Sequence, residues 1–511
     1  MTKVTETITS TEMRVIETNA EYYGISLLQL MEIAGRNVAE EIASRFNPNK
    51  TKVAIYCGSG GNGGDGFVTA RYLTCHGFKV EIVLASQASN INHEAAEKNW
   101  VALQPLRNTI PVKEVKDSAL IPDVKADVVV DALLGIGLTG KLRPPIMQIV
   151  EKINVMDAFR VAVDIPTGIN SDTGEILGNA VKANLTVTFY KAKPGLAKAK
   201  EYSGEVVVKN IGLPYQLERF AGPGDVNFAV KPRLPEAHKG MFGRLLIVGG
   251  SNMFSGAPAL SALAALRTGV DIATVAAPET TAQVISSMSP SLITVKLKGK
   301  HLSSSNLSAL KGELESATAV VLGPGLGLHS ETKEAIKEII EQLNERGTPL
   351  LLDADALKAF SGFIWKLDCP LVLTPHAREY EILTGNKLPT DLEGRAKQVH
   401  KTARKLGAII LLKGSVDVIS NGEQIKFNFT GNAGMTVGGT GDVLSGVVGG
   451  LLAIETDPFG AAVAGAFING AAGDFVAVEK GYHMLPTDLL EWIPHVMDDP
   501  MCHLEVRTDQ L

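Results

Sequence analysis

The chain contains few cysteines, and they are scattered. Four are present among 511 residues, at Cys57, Cys75, Cys369 and Cys502. Their spacing fits neither a metal site nor a redox motif. Such sparse cysteine in a long chain suits a reducing cytosol, so we expect a cytoplasmic protein.

A long apolar run and a surplus of positive charge are also lacking. The opening residues, MTKVTETITSTEMRVIE, have no apolar core of the kind that a signal peptide needs. The most apolar stretch that we identify, at 443–454, is too short to cross a bilayer. A formal net charge of −6 argues against a large nucleic-acid footprint. We therefore expect neither a membrane nor a nucleic acid as a partner.

The residues that are present predict a globular protein of two domains. Hydrophobic residues make up 45% of the chain and charged residues 20%, which are ordinary values for a soluble protein. A length of 511 residues exceeds what one core usually organises. The 51 glycines cluster in short loops without a fixed period, which excludes collagen-like and solenoid architectures.

The order of the apolar runs predicts two α/β domains. Buried-strand patterns at 53–58, 79–85, 127–135 and 160–168 each lead into a glycine-rich turn. Such runs, separated by helix-length segments, are typical of a doubly wound, Rossmann-like parallel sheet. Four prolines and little helical periodicity at 214–236 indicate a linker. Strand patterns resume at 244–250, 273–278, 319–325, 349–357, 371–376 and 408–414. We therefore predict domains at 1–220 and 221–511.

The strongest signal in the second half is GMTVGGTGDVLSG at 434–446. Its glycines leave backbone N–H groups free to face an anion, and an apolar helix is predicted to start at Asp442. A helix N-terminus carries unpaired donors and the positive end of the dipole, so it favours phosphate. There, Asp442 would accept the proton of a hydroxyl that attacks a phosphoryl group. Alternatively, Asp442 only caps the helix.

The motif GGTGD resembles the anion hole and catalytic aspartate of the ribokinase-like superfamily. Five further motifs are similar to those of the ADP/ATP-dependent NAD(P)H-hydrate dehydratases, also called the YjeF C-terminal family. They are HKGMFGRLLIVGGSNMFSGAPALSALAALRTGV at 238–270, GPGLG at 323–327, LLDADAL at 351–357, LTPHAREY at 373–380 and LLKGSVDVI at 411–419. The resemblance extends over about 238–494 and implies a ribokinase-like domain.

This resemblance implies a reaction and a set of ligand contacts. In the family, a phosphoryl group is transferred to the ring hydroxyl of the hydrated nicotinamide, and elimination of phosphate regenerates NADH or NADPH. ADP or ATP would be the donor, Asp442 the base and a magnesium ion the helper. Contacts to the hydrated nucleotide are implied for Ala257, Gly325, His376 and Asp442. Contacts to ADP or ATP are implied for Lys413, Gly414, Ser415, Val416, Asp417 and Gly441.

The first half carries a glycine-rich segment, YCGSGGNGGDGFVTARYL at 56–73, which follows a predicted strand and opens a helix. It does not fit G-x-x-x-x-G-K-[ST], which argues against a P-loop ATPase, and a glycine-rich turn alone also serves as a plain connector. Within it, GGNGGDG resembles the GNNGGDG motif of the YjeF N-terminal family, the NAD(P)H-hydrate epimerases. DALLGIGLTG at 131–140, VDIPTGINSDTG at 163–174 and TFYKAKPGL at 188–196 follow in family order. The resemblance covers roughly 11–213.

The epimerase resemblance implies an ion site and a nucleotide site. Asn62, Asp131 and Thr167 would surround a potassium ion, which favours oxygen ligands. Asp164 is the candidate for the acid/base role. Alternatively, Asp164 only forms the turn before Pro166, and Asp131 only caps the turn that follows it. Contacts to the hydrated nucleotide are implied for Gly61, Asn62, Gly63, Gly64, Asp65, Gly135, Ile136, Gly137, Leu138, Thr139, Gly140, Lys141 and Asp164.

The chain departs from the family patterns at a few positions. The epimerases commonly have Asp near Glu17 or Thr18, and Asn at the positions of Ile33 and Gly61. The dehydratases usually have Pro-Gly after the histidine that matches His376, where this chain has Ala377 and Arg378. We expect these changes to affect local loop shape, affinity or rate.

Together the two resemblances predict a bifunctional enzyme that clears both epimers of the hydrate, because the epimerase interconverts R and S and the dehydratase consumes S. The alternative is a ribokinase-like vitamin-precursor kinase fused to a non-catalytic, interaction or RNA-associated YjeF N-terminal domain. The sequence leaves open the choice between ADP and ATP and between the NADH and NADPH hydrates. Because family members form tetramers or larger assemblies, we expect a homo-oligomer.

Overall fold

A computed structural model describes residues 7–230, 232–361 and 366–507. The chain divides into two compact units, at 1–215 and 216–511. Each unit has its own central sheet and its own covering helices.

The first unit is built on seven strands: β1 (Lys52–Cys57), β2 (Lys79–Leu84), β3 (Val112–Glu114), β4 (Val128–Ala132), β5 (Phe159–Val163), β6 (Leu185–Phe189) and β7 (Glu205–Lys209). Their order in the sheet is β3-β2-β1-β4-β5-β6-β7, and all are parallel. The helices are α1 (Ser10–Tyr22), α2 (Leu27–Arg45), α3 (Gly61–Cys75), α4 (Glu94–Leu103), α5 (Ile146–Val155), α6 (Pro194–Lys198) and α7 (Lys200–Ser203). The strand order reverses between β1 and β4, as in Rossmann-type sheets.

The apolar runs of this unit become strands because helices cover the sheet. Every residue of β4 is buried, and all residues of β1 after Lys52 are buried too. Strands buried on both faces lose polar alternation, which is why these runs were recognisable in the sequence. Helices α1 and α2 each begin at a capping box, formed by Thr9 with Glu12 and by Ser26 with Gln29.

The second unit is built on nine strands: β8 (Arg244–Val248), β9 (Ile272–Pro278), β10 (Ile293–Leu297), β11 (Ala319–Leu322), β12 (Leu350–Leu352), β13 (Leu371–Leu373), β14 (Ile409–Leu412), β15 (Asp417–Ser420) and β16 (Ile425–Asn428). Their order is β10-β9-β8-β11-β12-β13-β14-β15-β16. The sheet is parallel up to β14, and β15 and β16 extend it as an antiparallel pair. Two parallel-dominated α/β sheets therefore confirm the predicted fold class.

Eleven helices are described in the second unit: α8 (Pro223–Ala229), α9 (Gly256–Arg267), α10 (Glu279–Met288), α11 (Leu307–Ser316), α12 (Ser330–Arg346), α13 (Ala354–Phe360), α14 (Ala377–Thr384), α15 (Leu392–Leu406), α16 (Thr440–Ala453), α17 (Pro458–Lys480) and α18 (Pro486–Asp498). Helices α9 and α16 cross closely because Gly446 has no side chain. A Cβ atom at Gly446 would lie 2.1 Å from the carbonyl oxygen of Ser261.

The proline-rich segment at 214–236 differs from the predicted linker. It contains α8, where Pro223 stands in the first turn and costs the helix no hydrogen bond. Asp225 pairs with Lys426 at 2.8 Å, and the Thr456 hydroxyl donates to the Ala229 carbonyl at 2.9 Å. Most of this segment is therefore a folded part of the second unit, a packing that proline content alone does not predict.

Within the described part of the chain, the helix that passes a length and hydropathy test for a membrane span is α17, and not the segment at 443–454. It has 23 residues, and 83% of its most apolar window is buried inside the fold. Small residues let it pack closely, since a Cβ atom at Gly465 would lie 2.5 Å from the Val448 side chain. Burial of this kind is what a core helix shows, so its composition is weak evidence for a membrane span.

Candidate active sites

The first unit has a cavity of about 720 Å³ at the carboxyl ends of β1 and β4, where the strand order reverses. Open α/β sheets bind ligands at this place. Nine of the predicted contact residues line it: Gly61, Asn62, Asp65, Gly135, Ile136, Gly137, Leu138, Thr139 and Asp164. Its lining does not include four others, namely Gly63, Gly64, Gly140 and Lys141.

The glycine-rich segment after β1 is the first turn of a helix, and close packing explains its composition. A Cβ atom at Gly63 would lie 2.0 Å from the Gly58 carbonyl oxygen, and one at Gly58 would lie 2.0 Å from the Leu133 carbonyl oxygen. A side chain at Gly64 would collide with Met31. Because these residues are glycines, α3 starts directly beside β1 and places its N-terminus at Gly60 and Gly61 on the cavity wall. Unpaired N–H groups at that position favour a phosphate.

Two of the predicted ion ligands, Asp131 and Thr167, are in direct contact. The Thr167 hydroxyl donates to Asp131 Oδ1 at 2.7 Å, and its backbone N–H donates to Oδ2 at 2.8 Å. Both residues are fully buried, and burial raises the pKa of Asp131 to about 6 even though Thr167 and the Leu133 amide donate hydrogen bonds to it. The turn-capping alternative is partly realised, since Leu133 N–H lies 3.3 Å from Oδ1.

The third predicted ligand, Asn62, lines the cavity beside Gly135, whereas Asp131 and Thr167 are not among the cavity's lining residues. A Cβ atom at Gly135 would lie 3.3 Å from Asn62 Oδ1. Among the described residues, the buried Asn62 side-chain nitrogen has no hydrogen-bond partner, so this N–H group keeps a donor for an acceptor atom of a ligand and not for the cation. A buried carboxylate, a hydroxyl and an amide oxygen are the donors that a hard cation takes, so the residues present fit a potassium ion.

Asp164 stands at the end of β5 with φ of 63°, a left-handed conformation that is uncommon for a residue other than glycine. Its Oδ1 accepts hydrogen bonds from the buried ammonium of Lys193, from the Thr188 hydroxyl at 3.0 Å and from the Phe189 amide at 3.1 Å. Lys193 is among the largest fully buried side chains. Asp164 is thus an anchored carboxylate on the cavity wall and does more than form a turn.

Sequence reasoning missed three ionisable side chains of this cavity, Arg14, Glu17 and His93. The family pattern marks Glu17 only as a position near which the epimerases commonly have Asp. Burial raises the pKa of Glu17 to about 7, with a smaller raising effect from Asp164, while Lys193 and Arg14 lower it. No local motif marks Glu17, because its place near Asp164 results from the packing of segments that are distant in the chain.

In the second unit, α16 begins at Thr440, two residues before the predicted start. Gly439 is the N-cap with φ of 110°, a conformation that favours glycine. The Thr440 hydroxyl donates to the carbonyls of Met435 and Val437, which fixes the turn. Asp442 lies in the first helical turn, and among the described residues its carboxylate forms no capping box with Gly439, so capping does not explain this carboxylate.

The electrostatic surroundings of Asp442 suit a general base. Burial and then the neighbouring carboxylate of Asp353 raise its pKa to about 7, Lys413 lowers it, and Glu379 raises it further. The Lys413 ammonium lies 3.0 Å from Asp353 Oδ1. A Cβ atom at Gly441 would lie 3.4 Å from the same ammonium, so Lys413 reaches the start of α16.

His376 and Lys413 lie side by side at the ends of β13 and β14, where they form an isolated parallel bridge. The His376 Nδ1 accepts hydrogen bonds from the N–H groups of Arg378 and Glu379 and so caps α14. Ala377 and Arg378, where the chain departs from the family's Pro-Gly, therefore form the first turn of this helix. The His376 ring is about half exposed, and its Nε2 lies 3.5 Å from Oε1 of the buried Glu379.

The remaining predicted contacts fall into two groups. Ala257 and Gly325 are adjacent, because a Cβ atom at Gly325 would lie 3.5 Å from the Ala257 Cβ. After β14, Gly414 and Ser415 are exposed and Val416 is half-buried. Asp417 accepts from the Gly414 amide and from Asn428, both at 3.0 Å, so its carboxylate shapes this turn. Burial raises the pKa of Asp417 to about 6.

The fold and these sites define a two-domain α/β protein in which each domain offers a helix N-terminus beside buried carboxyl groups. Residues 27–195 match the model of the YjeF-related protein N-terminus family, and residues 245–495 match that of the NAD(P)H-hydrate dehydratases. The chain belongs to the family of bifunctional NAD(P)H-hydrate repair enzymes.

Two relatives span nearly its whole length. The bifunctional NAD(P)H-hydrate repair enzyme Nnr of Hyperthermus butylicus is 43% identical over 97% of this chain and 93% of its own length. The enzyme of the same name from Archaeoglobus fulgidus is 45% identical over 96% and 98%. A solved ADP/ATP-dependent NAD(P)H-hydrate dehydratase of Bacillus subtilis, co-crystallised with ATP and Mg²⁺, is 26% identical over 55% of this chain and 97% of that chain, with a TM-score of 0.48.

Proposed function

We propose that the first domain interconverts the R and S forms of NAD(P)H hydrate and that the second dehydrates the S form with ADP or ATP. The observation that carries this proposal is the position of Asp442. A carboxyl group with a pKa of about 7, in the first turn of α16 and near the Lys413 ammonium, suits transfer of a phosphoryl group to an alcohol. Membership of the repair-enzyme family supplies the substrate class.

In the dehydratase site, the ionised Asp442 takes the proton of the ring hydroxyl while that oxygen attacks the terminal phosphoryl group. The N–H groups at the start of α16 and the Lys413 ammonium offset the charge that develops there. The hydroxyl becomes a phosphate ester, whose C–O bond then breaks. Loss of a proton from the neighbouring ring carbon restores the double bond of NADH or NADPH.

A magnesium ion on the nucleotide fits the charges of this site. The carboxylates of Asp353, Glu379 and Asp355 all raise the pKa of Asp442, so negative charge exceeds what Lys413 compensates. Magnesium prefers carboxylate and phosphate oxygens, and Asp353 and Glu379 are the residues that would hold it, directly or through water. When bound, such an ion neutralises charge on the transferring phosphate.

In the epimerase site, Asp164 is the residue that we assign to proton transfer at the hydrated ring. It lines the cavity and is held by three donors on one oxygen, which leaves its other oxygen for a ligand. Asp131, Thr167 and Asn62 would hold the potassium ion. When bound, that ion would offset the charge of buried Asp131 and of a pyrophosphate at the start of α3.

The test uses the full chain and a mixture of the R and S hydrates of NADH. With ADP or ATP added, we expect recovery of the reduced-ring absorbance to exceed the amount of S hydrate supplied, because epimerisation replenishes it. Without nucleotide, we expect chromatography to show only a change in the epimer ratio. A stable phosphorylated product without recovered NADH would instead support a vitamin-precursor kinase, and an unchanged epimer ratio would support a non-catalytic first domain.

We also infer a cytoplasmic location, because the four cysteines are free and three of them are buried thiols. Formation of a homo-oligomer stays a prediction. So do the expected absence of nucleic-acid and membrane partners and the preference between ADP and ATP.

A further inference from the structure

Glu17 lines the same cavity as Asp164 and is not among the residues assigned to the epimerase function. It lies on α1, whose buried residues Met13, Ile16 and Ala20 fix that helix to the domain. The capping box of Thr9 and Glu12 fixes where the helix starts. The Glu17 carboxyl group is therefore presented to the cavity by a rigid element, which is what precise proton transfer needs.

The charged groups around Glu17 are Lys193, Asp164, Asp65 and, on its own helix, Arg14. Lys193 is committed elsewhere, because its ammonium donates to Asp164 Oδ1, to the Thr188 hydroxyl at 3.3 Å and to the Phe189 carbonyl at 3.0 Å. An ammonium has three protons to donate, so all of them are used.

Two carboxyl groups of one cavity therefore have opposite environments. Asp164 receives three hydrogen bonds on a single oxygen, one of them from the Lys193 ammonium. Among the described residues, none donates a hydrogen bond to the carboxyl of Glu17, and burial raises its pKa to about 7. Environments that separate two carboxyl groups in this way assign one as base and the other as acid.

We propose that Glu17 is a second catalytic residue of the epimerase site, a proton donor that works with Asp164 on the hydrated nicotinamide ring. This inference rests on the proposed epimerase function and adds a role that the motif residues do not supply. The protonated carboxyl of Glu17 is the acid, and the anchored carboxylate of Asp164 is the base.

The step balances as a reversible ring opening. Asp164 takes the hydroxyl proton, the oxygen forms a carbonyl with the ring carbon, and the bond between that carbon and the ring nitrogen breaks. The nitrogen receives the proton of Glu17 as the electron pair of that bond reaches it. Rotation presents the other face of the carbonyl. When the nitrogen adds back, it returns its proton to Glu17, and Asp164 returns its proton to the oxygen.

The experiment follows interconversion of the R and S hydrates by the full chain without ADP or ATP, so that dehydration does not proceed. We expect Glu17→Gln to lower kcat by about 10²- to 10⁴-fold, the usual contribution of a general acid, with a smaller change in KM. The wild-type kcat should fall as pH rises through about 7, because the protonated Glu17 is then lost. Glu17→Gln should lack this fall, since its amide does not titrate.

Two further variants separate catalysis from structure. Glu21→Gln alters an exposed residue of the same helix and should keep the wild-type kcat and pH profile. Glu17→Asp keeps an acid one methylene shorter, so the fall with pH should remain at a reduced kcat, which also covers the case in which Glu17→Gln does not fold. A wild-type kcat in Glu17→Gln, or a lowered kcat with the fall unchanged, would overturn the inference. Absence of epimerisation in the wild type and in Glu21→Gln alike would overturn the epimerase function itself.

Discussion

The ammonium of Lys413, at the end of β14, lies 3.0 Å from Oδ1 of Asp353, a residue that follows β12. The Asp353 side chain is only 3% exposed, so water hardly reaches this carboxylate. Burial alone would lower the pKa of Lys413, but the carboxylates of Asp353 and Glu379 hold it above its ordinary value. Lys413 is therefore a fixed positive charge beside the start of α16.

Replacing this charge should shift the pH dependence of dehydration. Because Lys413 lowers the pKa of Asp442, Lys413→Gln should raise that pKa further, and the rate should then reach half its maximum at a higher pH. Loss of a charged contact should also raise KM for ADP or ATP about tenfold or more. The measurement is kcat and KM across pH. Lys397→Gln, an exposed position on α15, serves as the control and should change neither quantity.

The base itself gives a second prediction. Asp442→Asn should lower the rate of dehydration by about 10²- to 10⁴-fold, because the amide does not accept the hydroxyl proton. In the wild type the rate should rise with pH through about 7, since the carboxylate is the active form and its pKa is about 7. Reduced-ring absorbance with nucleotide present gives the rate. Epimerisation without nucleotide is the internal control and should be unchanged. A variant that dehydrates at the wild-type rate would remove Asp442 from the mechanism.

How far the sequence predicted the fold depended on burial. The central strands β1, β4, β8 and β11 are covered on both faces and were recognisable as continuous apolar runs. The edge strand β7 was missed because Val206 and Val208 are exposed and its pattern is mixed. The buried strand β6 was missed because threonines interrupt its run. Thr186 is nevertheless satisfied there, since its hydroxyl donates to the Ser203 carbonyl at 2.6 Å.

Candidate site residues could be named from the sequence where a motif is local in the chain. Asp131, Asp164 and Asp442 lie at strand ends or in a glycine-rich helix start, and the structure places each beside the groups that set its chemistry. Glu17 and Lys193 meet Asp164 only through packing of distant segments, so neighbouring sequence does not reveal their roles. The same limit applies to glycines. The motif predicts Gly63 and Gly64 as ligand contacts. The structure adds that a side chain at Gly63 would collide with Gly58 and one at Gly64 with Met31, which the motif alone does not show.

The ion site gives a third prediction. If potassium binds at Asp131, potassium chloride should raise the Tm of the first domain's unfolding above that in choline chloride of equal ionic strength. A gain of 1 kcal/mol corresponds to roughly 2–4 °C for a unit of this size. Asp131→Asn should abolish this difference, and should also lower basal stability because its amide nitrogen faces donors of Thr167. Calorimetry of the full chain measures this Tm.

Asp157→Asn changes an exposed position and should respond to potassium like the wild type. An equal response in Asp131→Asn would refute the assigned ligand.

Close packing behind the phosphate-favouring helix gives the fourth prediction. Gly446→Ala would place a methyl group 2.1 Å from the Ser261 carbonyl oxygen, so α9 and α16 must separate. Overpacking of this kind costs about 1–3 kcal/mol. The Ser261 hydroxyl donates to the Asp442 carbonyl at 2.9 Å, so the separation also displaces the turn that carries the base. A shift of about 1 Å at a reacting group lowers rates by roughly 10²-fold, so dehydration should fall more than the loss of stability explains.

Gly312→Ala is the matched control, because open space surrounds that helical glycine and the added methyl group should stabilise α11 by about 0.4–1 kcal/mol. The measurements are the thermal unfolding and the dehydratase kcat of both variants. If Gly446→Ala matched Gly312→Ala in stability and kept full dehydratase activity, the crossing of α9 and α16 would not be what positions Asp442.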